Sequence, residues 1–264
     1  MPTDQSNIET LSEQVHAIES PELVIEIKDI KKSFGSNHVL KGFNLRLKRG
    51  ENVVVMGKSG SGKSVMIKML VGLLKPDSGS VKIMGKEIDK LGRKELDELR
   101  TDIGFLFQGS ALYDSMTVSE NLLFPMRTNK KKFGTGVDTK ELVLEALRNV
   151  GLEEAIDMMP VELSGGMKRR VALARTLILR PSVILYDEPT SGLDPITSKE
   201  IIELMRRIQK KYSTSSLIIT HDVDCARVIA ERIVLLVDGI DYAAGSYETL
   251  SSSQDPKIEA FFKK

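Results

Sequence analysis

A single cysteine, no long apolar run and no surplus of either charge are what this sequence first shows, and each excludes something. Cys225 stands alone in 264 residues, so no disulfide can form within the chain. It follows Thr220-His221-Asp222 in a predicted helix, where packing is expected rather than reactivity. No stretch reaches the roughly 18 apolar residues that a membrane-spanning helix needs. Lys and Arg number 38 against 37 acidic residues, which removes the global field that draws a protein to nucleic acid. Met1 to Ser20 is acidic and polar, unlike a secretory leader. There is no internal repeat and no low-complexity tract. The expectation is a soluble intracellular protein, one large α/β domain or two small ones, long enough to bury a proper core.

What is present is a phosphate loop. Gly57-Lys58-Ser59-Gly60-Ser61-Gly62-Lys63-Ser64 satisfies the pattern of glycine, four residues, then Gly-Lys-Ser. Val53-Val54-Val55-Met56 before it is short, apolar and β-branched, as a strand buried in a parallel sheet should be. Val65 to Leu74 after it carries apolar residues at helical spacing. A strand–loop–helix unit suits a triphosphate: glycines let backbone N–H groups turn inward, and the helix N-terminus adds partial positive charge. Lys63 is then expected at the β- and γ-phosphates and the Ser64 hydroxyl on Mg²⁺. The bland alternative, a Gly/Ser turn with an accidental lysine, does not account for the flanking strand and helix.

Around this loop the chain alternates strand and helix. Residues 1–21 read as a polar tail closed by Pro21. Alternation over Leu23–Ile30 and Phe43–Leu47 predicts half-buried strands. Pro76-Asp77-Ser78-Gly79 predicts a turn before a strand at Val81–Met84. Arg93–Arg100 predicts a charged amphipathic helix leading into a strand at Ile103–Phe107. Gly109–Met126 is mixed in character and holds a short predicted helix, Val118–Phe124. Thr128–Gly136, with Lys130-Lys131-Lys132 and two glycines, reads as a solvated loop, with phospholipid head groups or an acidic partner as the sharper alternative. Asp138 caps a predicted helix running to about Val150. Beyond Leu163 come strands at Val183–Tyr186, Ser216–Thr220, Arg232–Val237 and Tyr242–Ala244, with helices at Pro195–Tyr212 and Asp222–Ala230. The order implies one parallel sheet with a helical insertion over about residues 109–170. The organised domain is placed at residues 22–247. Residues 248–264 are read as a C-terminal tail, with Phe261-Phe262 either frayed or docked on a partner.

Two further runs carry chemistry. Val183-Ile184-Leu185-Tyr186 delivers Asp187 and Glu188 to the carboxyl end of a buried strand, where ligands sit in open α/β sheets. Asp187 is placed to hold Mg²⁺ directly or through water, and Glu188 to orient or deprotonate an attacking water. Ser164-Gly165-Gly166 opens an apolar helix through Leu179. That is either a second anion site or a helix cap alone, and the residues by themselves leave both open.

Leu163-Ser164-Gly165-Gly166, a strand ending Asp187-Glu188-Pro189-Thr190, then Ser191-Gly192-Leu193-Asp194 and Ile219-Thr220-His221-Asp222, in that order after a phosphate loop, resemble the ABC transporter ATPases over residues 23 to 245. The resemblance implies an α/β P-loop NTPase fold: a RecA-like core with an antiparallel β subdomain and the helical insertion. It implies ATP and Mg²⁺ as ligands. Phe34 falls where the family stacks an aromatic on adenine, and Gln108 at its glutamine loop. Nucleotide contacts are thereby expected from Phe34, Gly57, Lys58, Ser59, Gly60, Ser61, Gly62, Lys63, Ser64, Val65, Ser164, Gly165, Gly166 and Asp194. Glu188, His221, Gln108 and Lys63 carry the catalytic roles, and Ser64, Gln108 and Asp187 the metal. In the family two such domains pair head to tail. Ser164, Gly165 and Gly166 would then serve the partner's nucleotide, Asp194 would lie across the dimer seam, and His221 would contact the γ-phosphate. Met167 stands where many members carry glutamine, which leaves the serine and glycines intact.

Phe107 to Val118, continuing to Glu120-Asn121 and Phe124-Pro125, together with Leu163 to Ala172, is similar to the ATPase of Mla/MCE phospholipid transporters. That likeness implies a homodimer at the cytoplasmic face of a bacterial inner membrane, a permease docked on residues 109–125, an MCE-type lipid-binding subunit, and phospholipid trafficking that maintains outer-membrane asymmetry. The nearest rival is an ABC ATPase for an amino acid or a drug. A chromosome-maintenance clamp would need a long coiled coil where only about 100 residues separate Ser64 from Ser164. A tandem translation factor would need two sets of motifs, and a non-catalytic ATP-gated scaffold would not need Glu188.

Overall fold

The strand that feeds the phosphate loop, β3 (Asn52–Met56), is buried at every residue, and the rest of the molecule is arranged on its two faces. A computed structural model describes residues 22–133 and 138–263. The N-terminal tail expected at 1–21 lies outside the described residues. The main sheet has six strands in the order β10-β9-β3-β8-β7-β6: β6 (Ile103–Leu106), β7 (Val183–Asp187), β8 (Ser215–Thr220), β9 (Arg232–Val237) and β10 (Ile240–Gly245). All neighbours pair in parallel except β9 with β10. Because side chains alternate across a strand, β3 sends Val54 and Met56 into one core and Val53 and Val55 into another. Such double burial explains the unbroken apolar run.

The first core packs helices α3 (Val118–Thr128), α5 (Thr139–Val150), α6 (Gly165–Leu177), α7 (Pro195–Tyr212) and α8 (Val223–Ile229) against the sheet. The second is closed by α1 (Lys63–Leu70), α2 (Arg93–Arg100) and an antiparallel sheet of β1 (Leu23–Phe34), β2 (Asn37–Lys48), β4 (Ser78–Ile83) and β5 (Lys86–Glu87). β1 and β2 are twelve residues each, longer than alternation alone indicates, because register shifts along their pairing interrupt the period-two pattern. Cys225 lies fully buried in the first core, and burial, followed by the charges of Asp222 and Glu188, pushes its thiol pKa up.

Two expectations are corrected. Within Thr128–Gly136, Lys130–Phe133 forms one helical turn, α4, rather than loop. Lys132 Nζ donates to Asp102 Oδ1 at 2.7 Å and to Thr101 O at 3.1 Å, tying it to the turn that leads into β6. Residues 134–137 lie outside the described residues. The C-terminal segment read as a tail holds α9 (Tyr247–Ser251) and α10 (Pro256–Phe262). Asp255 caps α10 and accepts from Tyr242 Oη at 2.7 Å. Lys257 pairs with Asp238 at 2.7 Å. Ile258 is buried, and the Phe262 ring meets Tyr247 edge-on at 5.7 Å. Among the described residues no helix is long and apolar enough to cross a membrane.

Candidate functional site

The turn from β3 into α1 is built by two glycines with different reasons. Gly62 has φ of +106°, which only glycine adopts without strain, and a Cβ on Gly57 would lie 2.5 Å from Ser61 Oγ and 2.9 Å from Leu236 O. At the head of α1, Lys63 is folded back over the loop, donating from Nζ to Gly57 O at 2.7 Å and Lys58 O at 3.0 Å. Its Nζ is also 4.0 Å from Glu188 Oε1. Burial lowers the Lys63 pKa, opposed by the charges of Glu188 and Asp187.

A cavity of about 610 Å³ opens over this turn. Its walls are Lys58, Ser59, Gly60, Gly62, Lys63, Ser64 and Val65 on one side, Phe34 and Val39 on a second, and Gln108, Asp187, Glu188 and His221 on a third. Gly57 and Ser61, expected to contact nucleotide, do not line the cavity, and Ser61 Oγ is buried without a hydrogen-bond partner. Phe34 is half exposed at the rim, with Lys32 Nζ over its ring at 5.7 Å from the centroid.

The acids sit at the end of β7. Burial raises the Asp187 pKa and the Glu188 charge adds to that, while Lys63 and Arg169 oppose it. Glu188 has φ of +48°, a strained value for a residue with a Cβ, and is held there by its N–H donating to Ile219 O at 2.8 Å. Its Oε2 lies 2.8 Å from His221 Nδ1 and accepts from the His221 N–H at 3.3 Å. The His221 side chain is 70% exposed while that of Glu188 is 12% exposed, so the histidine is open to an incoming group and the acid is shielded. Gln108 Nε2 donates to Ser191 Oγ at 3.2 Å.

The remaining predicted residues are elsewhere. Ser164 caps α6, its Oγ accepting from the Met167 N–H at 3.2 Å. Asp194 caps α7, with Oδ1 accepting from Ile196 N and Thr197 N, each at 3.0 Å. Neither they nor Gly165 and Gly166 line the cavity. The geometry thus divides the predicted set into one group around the cavity and one outside it, on two helix starts. Within the cavity group, Ser64, Asp187 and Gln108 offer a hydroxyl, a carboxylate and an amide, the hard oxygen donors that suit Mg²⁺ beside a phosphate.

Three residues were missed by sequence reasoning. Val39 lines the cavity from β2; Ser191 receives the Gln108 amide; Arg169 is buried, donating to the carbonyls of Phe107 and Ser191. Arg169 had a findable signal. It stands at i of an i, i+3, i+4, i+7 set with Ala172, Leu173 and Thr176, all buried, so the helical period places it inward although its run of basic residues suggests solvent.

Comparison with known proteins agrees with this geometry. The ABC transporter family matches residues 40–191. The chain is 40% identical over 239 residues to the probable ribonucleotide transport ATP-binding protein mkl of Mycobacterium leprae, covering 90% of this chain and 68% of that protein. It is 36% identical over 240 residues to the intermembrane phospholipid transport system ATP-binding protein MlaF of Haemophilus influenzae, covering 91% of this chain and 90% of that one. The fold superposes on the dimeric cassette MJ0796, in a post-hydrolysis state bound to ADP and Pi, with a TM-score of 0.76 and 35% identity, covering 84% of this chain and 98% of that one. A strand-borne phosphate loop facing a carboxylate pair defines a nucleotide-hydrolysing domain. This chain belongs to the ABC transporter family and is an ATPase subunit of that family.

Proposed function

We propose that two copies of this chain close on two molecules of Mg-ATP to drive a membrane permease that moves phospholipid. The observation that carries the reading is the division just described: the cavity holds the phosphate loop, Glu188 and His221, while Ser164–Gly166 and Asp194 lie outside it. Residues outside their own cavity are free to complete a partner's. The neighbour MJ0796 is dimeric, and a head-to-tail pair would bring each Ser164–Gly166 to the other chain's γ-phosphate. The N-terminus of α6, with Ser164 and two glycines, supplies donors and a favourable dipole for that anion.

Phe34 stacks on the adenine. Lys63 exchanges the carbonyls of Gly57 and Lys58 for the β- and γ-phosphates, gaining charge-assisted bonds. Ser64, Asp187 and Gln108 would hold Mg²⁺, which neutralises charge on the phosphates when bound. Glu188 takes a proton from the attacking water, whose oxygen bonds to the γ-phosphorus as the bond to the bridging oxygen breaks, leaving ADP and phosphate. His221, hydrogen-bonded to Glu188, keeps that carboxylate aimed. Loss of the shared phosphate removes the contact that favours the closed pair. Tyr113 and Phe107, 43% and 45% exposed, lie in or beside the 109–125 surface on which the permease would dock.

The phospholipid cargo rests on the relative MlaF, matched over nine-tenths of both chains, and on the run Phe107–Pro125. The likeness to mkl, a probable ribonucleotide transport protein, supports the second reading, an ABC transporter for another cargo. Co-expression with the neighbouring reading frames decides between them: recovery of a permease with a single-pass lipid-binding subunit and bound phospholipid supports lipid transport, and a soluble solute-binding partner refutes it. For the chemistry, Glu188→Gln is expected to bind ATP as wild type does, turn over about 100-fold or more slowly and accumulate dimers in gel filtration. Near-normal turnover would remove Glu188 from the role.

A further inference from the structure

We propose that Arg169 is a positioning residue for ATP hydrolysis, closing a ring of hydrogen bonds that joins the Gln108 segment to the Ser191 loop and both to helix α6. The inference rests on the ATPase reading of the cavity. Arg169 Nη1 donates to Phe107 O at 2.6 Å, and Nη2 donates to Ser191 O at 3.3 Å. Gln108 Nε2 donates to Ser191 Oγ at 3.2 Å, and the peptide bond between Phe107 and Gln108 completes the circuit. The arginine is 3% exposed, and Asp187 is a charge facing it.

Burying a cation costs desolvation, which apolar packing would not incur. What guanidinium supplies in return is geometry: a planar fork whose donors meet two carbonyls at a fixed separation. The same helix grips the same segment twice more. Thr176 Oγ1 donates to Phe105 O at 3.1 Å, and Arg175 donates to Ser110 O at 3.0 Å and Ala111 O at 2.6 Å. Ser110 and Ala111 both hold positive φ, +62° and +49°, a left-handed pair that those bonds keep in place. Four carbonyls flanking Gln108 are therefore fastened to one helix, and its first turn is capped by Ser164. The ring makes the γ-phosphate side of one cavity, the loop leading to Asp194 and the helix offered to the partner's nucleotide a single rigid group. Arg169 is the side chain that touches both loops.

The test is Arg169→Lys, which keeps the charge without the fork, and Arg169→Met, which keeps length alone, in the full chain. Equilibrium binding of a fluorescent ATP analogue is expected to stay within about threefold of wild type while kcat falls about tenfold or more in both, with KM little changed. Ser191→Ala, which removes the hydroxyl corner of the ring, is expected to lower kcat alone and to add less than about twofold on top of Arg169→Met, as members of one unit do. Wild-type kcat in Arg169→Lys overturns the proposal. Full multiplication of the Ser191 and Arg169 effects does so too, as does a kcat loss matched by equal loss of ATP affinity and thermal stability, which is the mark of general damage. Should Arg169→Met not fold, Arg169→Lys takes its place in the double-mutant cycle with Ser191→Ala, and the same two outcomes decide. Lys63→Ala is the control. If it still binds ATP, the phosphate-loop reading fails; if it loses ATP while Arg169→Lys keeps turnover, only the ring fails.

Discussion

Gly165 and Gly166 are adjacent at the start of α6, yet alanine is expected to act on them in opposite directions. A Cβ at Gly165 would meet Leu193 Cδ2 at 3.5 Å, an ordinary contact, whereas one at Gly166 would meet Thr197 Cγ2 at 2.6 Å. The second distance is about 1 Å inside the carbon–carbon optimum. Thr197 has little freedom to yield. Its Oγ1 donates to Asp194 Oδ2 at 2.5 Å, so turning the methyl away breaks that bond to the residue that caps α7. Against this, replacing glycine by alanine favours helix by up to about 1 kcal/mol, less in a first turn. Overpacking costs about 1–3 kcal/mol. The balance is near zero or slightly stabilising for Gly165→Ala, and a loss of about 1–2 kcal/mol for Gly166→Ala, or roughly 2–8 °C in melting temperature. Urea and thermal denaturation of the full chain without nucleotide measure it. Thr197→Ser deletes the offending methyl and keeps the hydroxyl, so in that background the Gly166→Ala penalty should fall below about 0.5 kcal/mol. A Gly166→Ala protein that melts at or above wild type, or a penalty undiminished by Thr197→Ser, refutes the steric argument.

Two further predictions concern the acid cluster and the insertion. Burial and Glu188 raise the pKa of Asp187 above the usual aspartate value; ionising it therefore costs more in the folded chain than in the unfolded one, and stability is lost as pH rises through the raised value. Asp187→Asn should thus exceed wild type in stability at pH 7 without nucleotide, the advantage shrinking as pH falls to the carboxylate range; a variant less stable than wild type at pH 7 in urea titrations would contradict this. Asn121 is fully buried, with Nδ2 donating to Tyr113 O, Met116 O and Thr117 O at 3.1, 3.0 and 3.0 Å and Oδ1 accepting from Tyr113 N at 2.8 Å. Asn121→Ala should cost about 1–3 kcal/mol, because it removes the partner of the part-buried Tyr113 N–H, Tyr113 O and Met116 O and empties a fully buried site, and should speed amide exchange at Tyr113; unchanged exchange there would show that other contacts hold the loop.

The parts legible in the sequence are those in which local pattern and tertiary demand coincide. Val53–Met56 reads as a buried strand because β3 is covered on both faces, and Asp138 reads as a cap because its carboxylate accepts from Lys140 N and Glu141 N. Pro195–Tyr212 is bounded by a proline that starts α7. Where long-range contacts decide, the pattern misleads. Lys130–Phe133 has loop composition but is a helical turn, with Lys132 answering Asp102 thirty residues earlier. The last residues lack motifs, yet Asp238, Tyr242 and Tyr247 fasten them. The cavity side chains were legible because phosphate chemistry restricts residue type and spacing. The Arg169 ring was not, since it joins segments 62 and 22 residues apart through backbone carbonyls, which any sequence supplies.

One consequence of the central strand concerns motion. β3 is paired along one edge with β8 and along the other with β9, and both its faces are covered. It has nowhere to slide. The phosphate loop therefore stands on a fixed anvil, and any stroke delivered by hydrolysis must pass through the connections that leave β6, β7 and β8, where Gln108, Glu188 and His221 sit, the first two moving as the one group that Arg169 ties together.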